Sequence, residues 1–176
     1  MGAPRYDRFA RWLHALMGLA LLAQIGFGFA LDELAPRGTP ARAGVINLHK
    51  SWGLILLGLL LLRLFWRLRQ PSPGWPARMS RAQTLAALWG HRALYACMLL
   101  MPLSAYLASN FSKHGIKFFG HAIAPWGPES PAVYAALNGF HKGLAWVFCA
   151  LILGHIAMAL KHHFVDRDGL LQRIWP

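Results

Sequence analysis

Carboxylates are scarce in this chain: six aspartates and glutamates in 176 residues, against eighteen lysines and arginines, for a formal net charge of +12. On a chain that is 56% hydrophobic, that balance is unlike an ordinary soluble domain. Positive charge alone would admit nucleic acid as a partner, but the basic residues fall between apolar runs and form no single stripe or motif, which argues against it. Cysteine is almost absent. Cys97 and Cys149 lie in apolar segments far from any C-x-x-C pattern, and read as small buried side chains, not as redox or metal groups. The lack of C-x-x-C-H excludes the usual covalent attachment of c-type haem. No cleavable targeting pattern is evident either: Met1–Arg11 is short and basic, and the apolar run after it ends without a small-residue cleavage site. The first run is therefore expected to stay in the mature protein.

What the chain has in quantity is apolar length. Four segments can each cross a bilayer: about 9–31, 45–66, 84–108 and 137–163. Asp32, Glu33, Pro36, Gly38 and Pro40 end the first, and Arg63, Arg67 and Arg69 mark the exit of the second. Pro71, Pro73 and Pro76 make a turn-rich connection to the third, which contains Pro102 and is expected to kink there without breaking. The longest connection, 109–136, is rich in glycine and proline, with a helical turn expected over 131–137. The tail 165–176 alternates charged and apolar residues in a way that suits a position along the interface. The expected fold is all-α, an integral membrane four-helix bundle formed by one domain spanning 1–176.

Lysine and arginine placement sets the orientation. With the amino terminus cytoplasmic, that side receives Arg5, Arg8, Arg11, the arginines from Arg63 to Arg92, Lys161, Arg167 and Arg173. The other side receives only Arg37, Arg42, Lys50, Lys113, Lys117 and Lys142, so both termini are expected in the cytoplasm. Most tryptophans then fall near an interface, as an aromatic belt requires.

Histidines acquire depths from this topology. His141 and His155 are fourteen residues apart, nearly on one face of the last helix and about 21 Å apart along it. His49 shares the outer level with His141, and His14 shares the inner level with His155. An imidazole in hydrocarbon is costly without a partner. Taken singly, a histidine near a helix end is more often interfacial than a ligand; the joint match of two pairs is what points to axial ligation of two haem irons, His14 with His155 and His49 with His141. Bis-histidine ligation leaves no open iron position and favours electron carriage. His91 lacks a level-matched unused partner and reads as hydrogen-bonding or interfacial. His162 and His163 read as interfacial, with a quinone headgroup as an alternative contact, and His114 and His121 as solvated loop residues.

The segments Arg8–His14 (RFARWLH), Asn47–Lys50 (NLHK), Arg63–Pro71 (RLFWRLRQP) and Lys161–Pro176 (KHHFVDRDGLLQRIWP) resemble, in order and spacing, the bacterial cytochrome b561 family over nearly the whole chain. The resemblance implies a multi-pass protein of the bacterial inner membrane with two b-type haems that exchanges electrons with ubiquinone. It places the haem ligands at His14, His49, His141 and His155. One branch of that family is regarded as superoxide oxidase, taking an electron from superoxide at the periplasmic face; the outer loop is the part most open to variation between branches.

Charge bears on mechanism at both levels. Lys50 and Lys142 follow His49 and His141, with Lys113 and Lys117 in the adjoining loop, so an anion such as superoxide could be steered to the outer face. Pairing of these lysines with haem propionates or lipid phosphates is the alternative, and both roles can coexist. Arg63 lies fourteen residues after His49 and is expected to meet a propionate of the inner haem, or else to snorkel. Three functional classes follow: a self-contained oxidoreductase, a haem-bearing anchor subunit for a partner dehydrogenase or hydrogenase, and a transporter or metal-binding membrane protein without haem.

Overall fold

In the computed structural model, which describes residues 5–70, 72–76 and 79–176, four long helices account for most of the chain: α1 (Arg8–Leu34), α2 (Ala41–Arg69), α3 (Arg81–Asn110) and α4 (Pro131–Lys161). At 27 to 31 residues each, they reach about 40 Å or more, longer than a hydrocarbon core of about 30 Å. All four are apolar enough to span a membrane. Their flanks explain where they start and stop. Asp7 caps α1 by accepting from the Ala10 amide at 3.0 Å. Ser80 and Gln83 form a reciprocal capping box at the start of α3. Pro131 occupies the first turn of α4, where its missing N–H costs nothing, so the turn expected over 131–137 is the beginning of that helix. At the other end of α1, Arg42 donates to the carbonyls of Leu31 and Ala35 at 3.0 and 2.6 Å and pairs with Asp32 at 2.6 Å. A cation there satisfies orphan carbonyls and complements the helix dipole. Helix α3 runs through Pro102 uninterrupted.

The closest backbone packing among the described residues joins α3 to α4, α1 to α2, and α2 to α3. Leu13, Met17 and Leu60 form a small buried cluster, with Leu57, Leu64, Tyr95 and Met98 against it. Elsewhere large apolar side chains face outward, among them Trp12, Leu19, Trp146 and Leu153, as a lipid-facing surface requires. Both cysteines are free; Cys97 is buried and Cys149 half-buried.

Two features cover the ends. At one end a hairpin of β1 (Ile116–Phe118) and β2 (His121–Ile123) turns through Phe119 and Gly120, both at positive φ, as a tight type I′ turn demands. It docks on α2: the fully buried Ser51 hydroxyl accepts from the Phe119 amide at 3.0 Å and shares its proton between the carbonyls of Asn47 at 2.8 Å and Lys117 at 3.1 Å. At the opposite end residues 5–6 lie against residues 172–175. The Tyr6 amide donates to the Arg173 carbonyl at 3.0 Å, and the Arg5 guanidinium to the carbonyls of Gln172 and Trp175. Within the tail, Arg173 is only 5% exposed and donates to the Gly74 carbonyl at 2.7 Å, while Val165 and Trp175 stay exposed. Its backbone leaves α4 through a π-turn at His162–Asp166, followed by Arg167 at positive φ. Pro71 of the preceding connection lies outside the described residues.

Candidate functional site

Near the end where residues 5–6 meet residues 172–175, His14 on α1 and His155 on α4 meet ring to ring, with centroids 6.2 Å apart and planes at 76°. Their helices are not among the closely packed pairs. Two imidazoles bonded at about 2 Å to opposite sides of one metal put their centroids about 6 Å apart, so the pair suits two axial ligands of a haem iron. Arg63 belongs to the same level, as an electrostatic neighbour of both rings. Its guanidinium is half-buried and donates to the Tyr95 hydroxyl at 3.1 Å, while Arg67 lies over the Tyr95 ring at 5.7 Å. No acid pairs with Arg63 among the described residues, which leaves guanidinium donors for an anion such as a propionate.

Nearer the hairpin, the arrangement differs. His141 on α4 donates from Nδ1 to the Met101 carbonyl at 2.9 Å, with Ser104 Oγ at 3.3 Å from the same nitrogen. A protonated Nδ1 leaves Nε2 with its lone pair, the tautomer a metal needs. His49 on α2 has His141 and Lys50 as neighbours, and its ring packs edge-on against Phe27 at 5.5 Å. Its Nδ1 is buried and has no hydrogen-bond partner, an orphan that fits a ligand role in search of an acceptor. Gly28 faces that ring so closely that a Cβ would stand 3.1 Å from His49 Cε1. Direct ring contact between His49 and His141 is not made among the described residues.

The four lysines separate. Lys50 is half-buried and donates to the Gly115 carbonyl at 3.1 Å, tying α2 to the hairpin, whereas Lys113, Lys117 and Lys142 are exposed. His114 and His121 are exposed. His162 is held by Asp168 at 2.7 Å and Asp166 at 3.2 Å, and Lys161 pairs with Asp166 at 2.6 Å.

Sequence reasoning missed several partners. His91 does have a neighbour at its level: its ring contacts that of His155 with centroids 5.5 Å apart, and it stacks on Trp75 at 6.4 Å. Depth puts both histidines at one level, since the start of α3 and the end of α4 share it, but does not say which face of α3 meets α4. Tyr95, four residues after His91, shares that face and follows once the face is known. The Met101 contact left no signal, because a backbone carbonyl carries no sequence signature.

Comparison with known proteins bears on the chemistry. The sequence model of the family described as prokaryotic cytochrome b561 matches residues 5–176. Cytochrome b561 homolog 2 of Escherichia coli (strain K12) is 38% identical over 129 residues, 73% of this chain and 69% of that protein. Cytochrome b561 homolog 1 of the same organism is 26% identical over 173 residues, 97% of this chain and 98% of its own. A Yersinia pestis protein named "Probable superoxide oxidase CybB" is 27% identical over 166 residues, 94% of this chain and 90% of its own. With four membrane-spanning helices and a family match over nearly its whole length, this chain belongs to the prokaryotic cytochrome b561 family, membrane proteins of electron transfer that carry b-type haem.

Proposed function

We propose that the chain is a dihaem cytochrome of the bacterial inner membrane, one domain over 1–176 with both termini cytoplasmic, that oxidises superoxide at the outer face and reduces ubiquinone. In this reading His14 and His155 ligate the iron of the inner haem, His49 and His141 that of the outer one, and Arg63 pairs with a propionate. The observation that carries it is the 6.2 Å approach of the His14 and His155 rings from helices that otherwise stand apart. Haem b, when bound, supplies a one-electron carrier whose potential follows from its axial ligands and surroundings.

The chain's own groups do the rest. The Met101 carbonyl holds the His141 ring in the tautomer that frees Nε2. Lys113 and Lys117, exposed beside and in the hairpin, and Lys142, exposed on α4, raise the local concentration of a small anion. Two superoxide ions each lose one electron and leave as dioxygen; ubiquinone takes up both electrons and two protons. We place the exchange with ubiquinone at the end of the inner haem, where the Arg63 guanidinium and the Tyr95 hydroxyl lie side by side. The name of the Yersinia relative supports superoxide as donor.

The test uses the purified protein alone: its haems should be reduced by a superoxide source and reoxidised by ubiquinone with no other polypeptide present. Haems that respond only when a dehydrogenase or hydrogenase is added would replace this reading with that of an anchor subunit.

A further inference from the structure

Helix α3 supplies no ligand in the reading above, yet it packs more closely on α4 than any other helix does. Its contacts with α4 fall at both histidine levels. At the outer level, the Met101 carbonyl and Ser104 hydroxyl grip His141 Nδ1. At the inner level the ring of His91 meets that of His155, planes at 68°, so that one ring presents its edge to the other. The register explains why. From His91 to Ser104 is thirteen residues along α3, and from His155 back to His141 is fourteen along α4, so two antiparallel helices bring both pairs level over about 20 Å.

We infer that α3 is the orienting helix for both α4 histidines, with His91 the positioning residue for His155 as Met101 and Ser104 are for His141. This rests on the ligand assignment proposed above. A histidine bound to a metal through one nitrogen is ordinarily fixed by a hydrogen bond from its other nitrogen, which tunes its strength as a ligand; where no such bond is made, the rings packed on the imidazole are what hold it. No hydrogen bond to the ring of His155 is formed by the described residues, and among their rings only those of His14 and His91 contact it. His14 comes from α1, a helix that does not pack closely on α4; His91 comes from the helix that does. Trp75 lies stacked on the His91 ring at 21°, so His91 is itself restrained.

The experiment compares H91F, H91Q, S104A and H155A in the haem-loaded protein by low-temperature EPR and by redox titration of each haem. H91F is expected to shift the g values and midpoint potential of the inner haem while leaving the outer haem at its wild-type position, which also reports an intact bundle. H91Q, which keeps a polar group at that place, should lie nearer wild type, and S104A should move only the outer haem. Inner-haem signals unchanged in H91F, with H155A still losing one haem, would overturn the orienting role alone. Retention of both low-spin haems in H155A would overturn the ligand assignment and this inference with it. Loss of the inner haem in H91F but not in H155A would make His91 the ligand itself and overturn both.

Discussion

The two histidine levels are built differently. At the inner level, side chains meet side chains: His14, His91 and His155 converge, and Arg63 is joined to Tyr95 beside them. At the outer level the backbone does more of the holding. His141 is pinned by a carbonyl, the His49 ring is confined by Gly28 and Phe27, and the hairpin is tied to α2 through Ser51 and Lys50. A level fixed by side chains can be tuned one substitution at a time. A level fixed by backbone depends on the helices and the hairpin keeping their places, so its sensitive positions lie farther from the histidines.

The sharpest way to break this comparison is to remove one ligand at a time. H14A and H155A should each lose the same haem, and H49A and H141A the other, measured as a halved haem-to-protein ratio; a common loss in all four would show one site instead of two. The next effect concerns the outer level alone. S51A leaves the Phe119 amide and the Lys117 carbonyl without their buried hydroxyl partner, at a cost of about 1–3 kcal/mol. It should lower Tm and disturb the outer haem's spectrum but not the inner one. A smaller effect is expected from replacing Lys113 and Lys117 together with glutamine: reduction by superoxide should slow several-fold at low ionic strength, and the difference should vanish in high salt. An unchanged rate at low salt would remove steering from the account.

The smallest prediction lies at the start of α1. Burial pushes the Asp7 carboxyl up, but hydrogen bonds from the Ala10 amide, the Trp66 indole and the Phe9 amide outweigh it and hold it below 3.8. A carboxyl depressed in the folded state adds stability that is present above its unfolded value and lost as pH falls through the folded one. Thermal scans of D7A should therefore show the loss of a helix cap worth about 1 kcal/mol near neutral pH. That difference from wild type should shrink as pH falls below about 4.

Much of this architecture was legible in the sequence. Leu54–Leu62 and the other apolar runs announce four spans by length alone, and the fourteen-residue separation of His141 and His155 assigns depths once the helices alternate in direction. What was not legible depends on rotation and on backbone. Which face of α3 turns toward α4 is decided by packing, so the contact of His91 with His155 could not be read from a level already assigned to another pair. The hairpin at 116–123 has strands of three residues with mostly exposed side chains, too short to leave an alternating pattern. Lys50 reads as a free cation beside His49, and only the fold brings the Gly115 carbonyl to it. The tail shows the same limit: Arg173 looks like an interfacial charge until the Gly74 carbonyl and the segment at Tyr6 enclose it.

The most direct test of the central claim is a haem count combined with low-temperature EPR on the purified wild-type protein. Two haem b per chain are expected, both low-spin, each with its own signal. A single haem, or a high-spin centre with an open iron position, would contradict it.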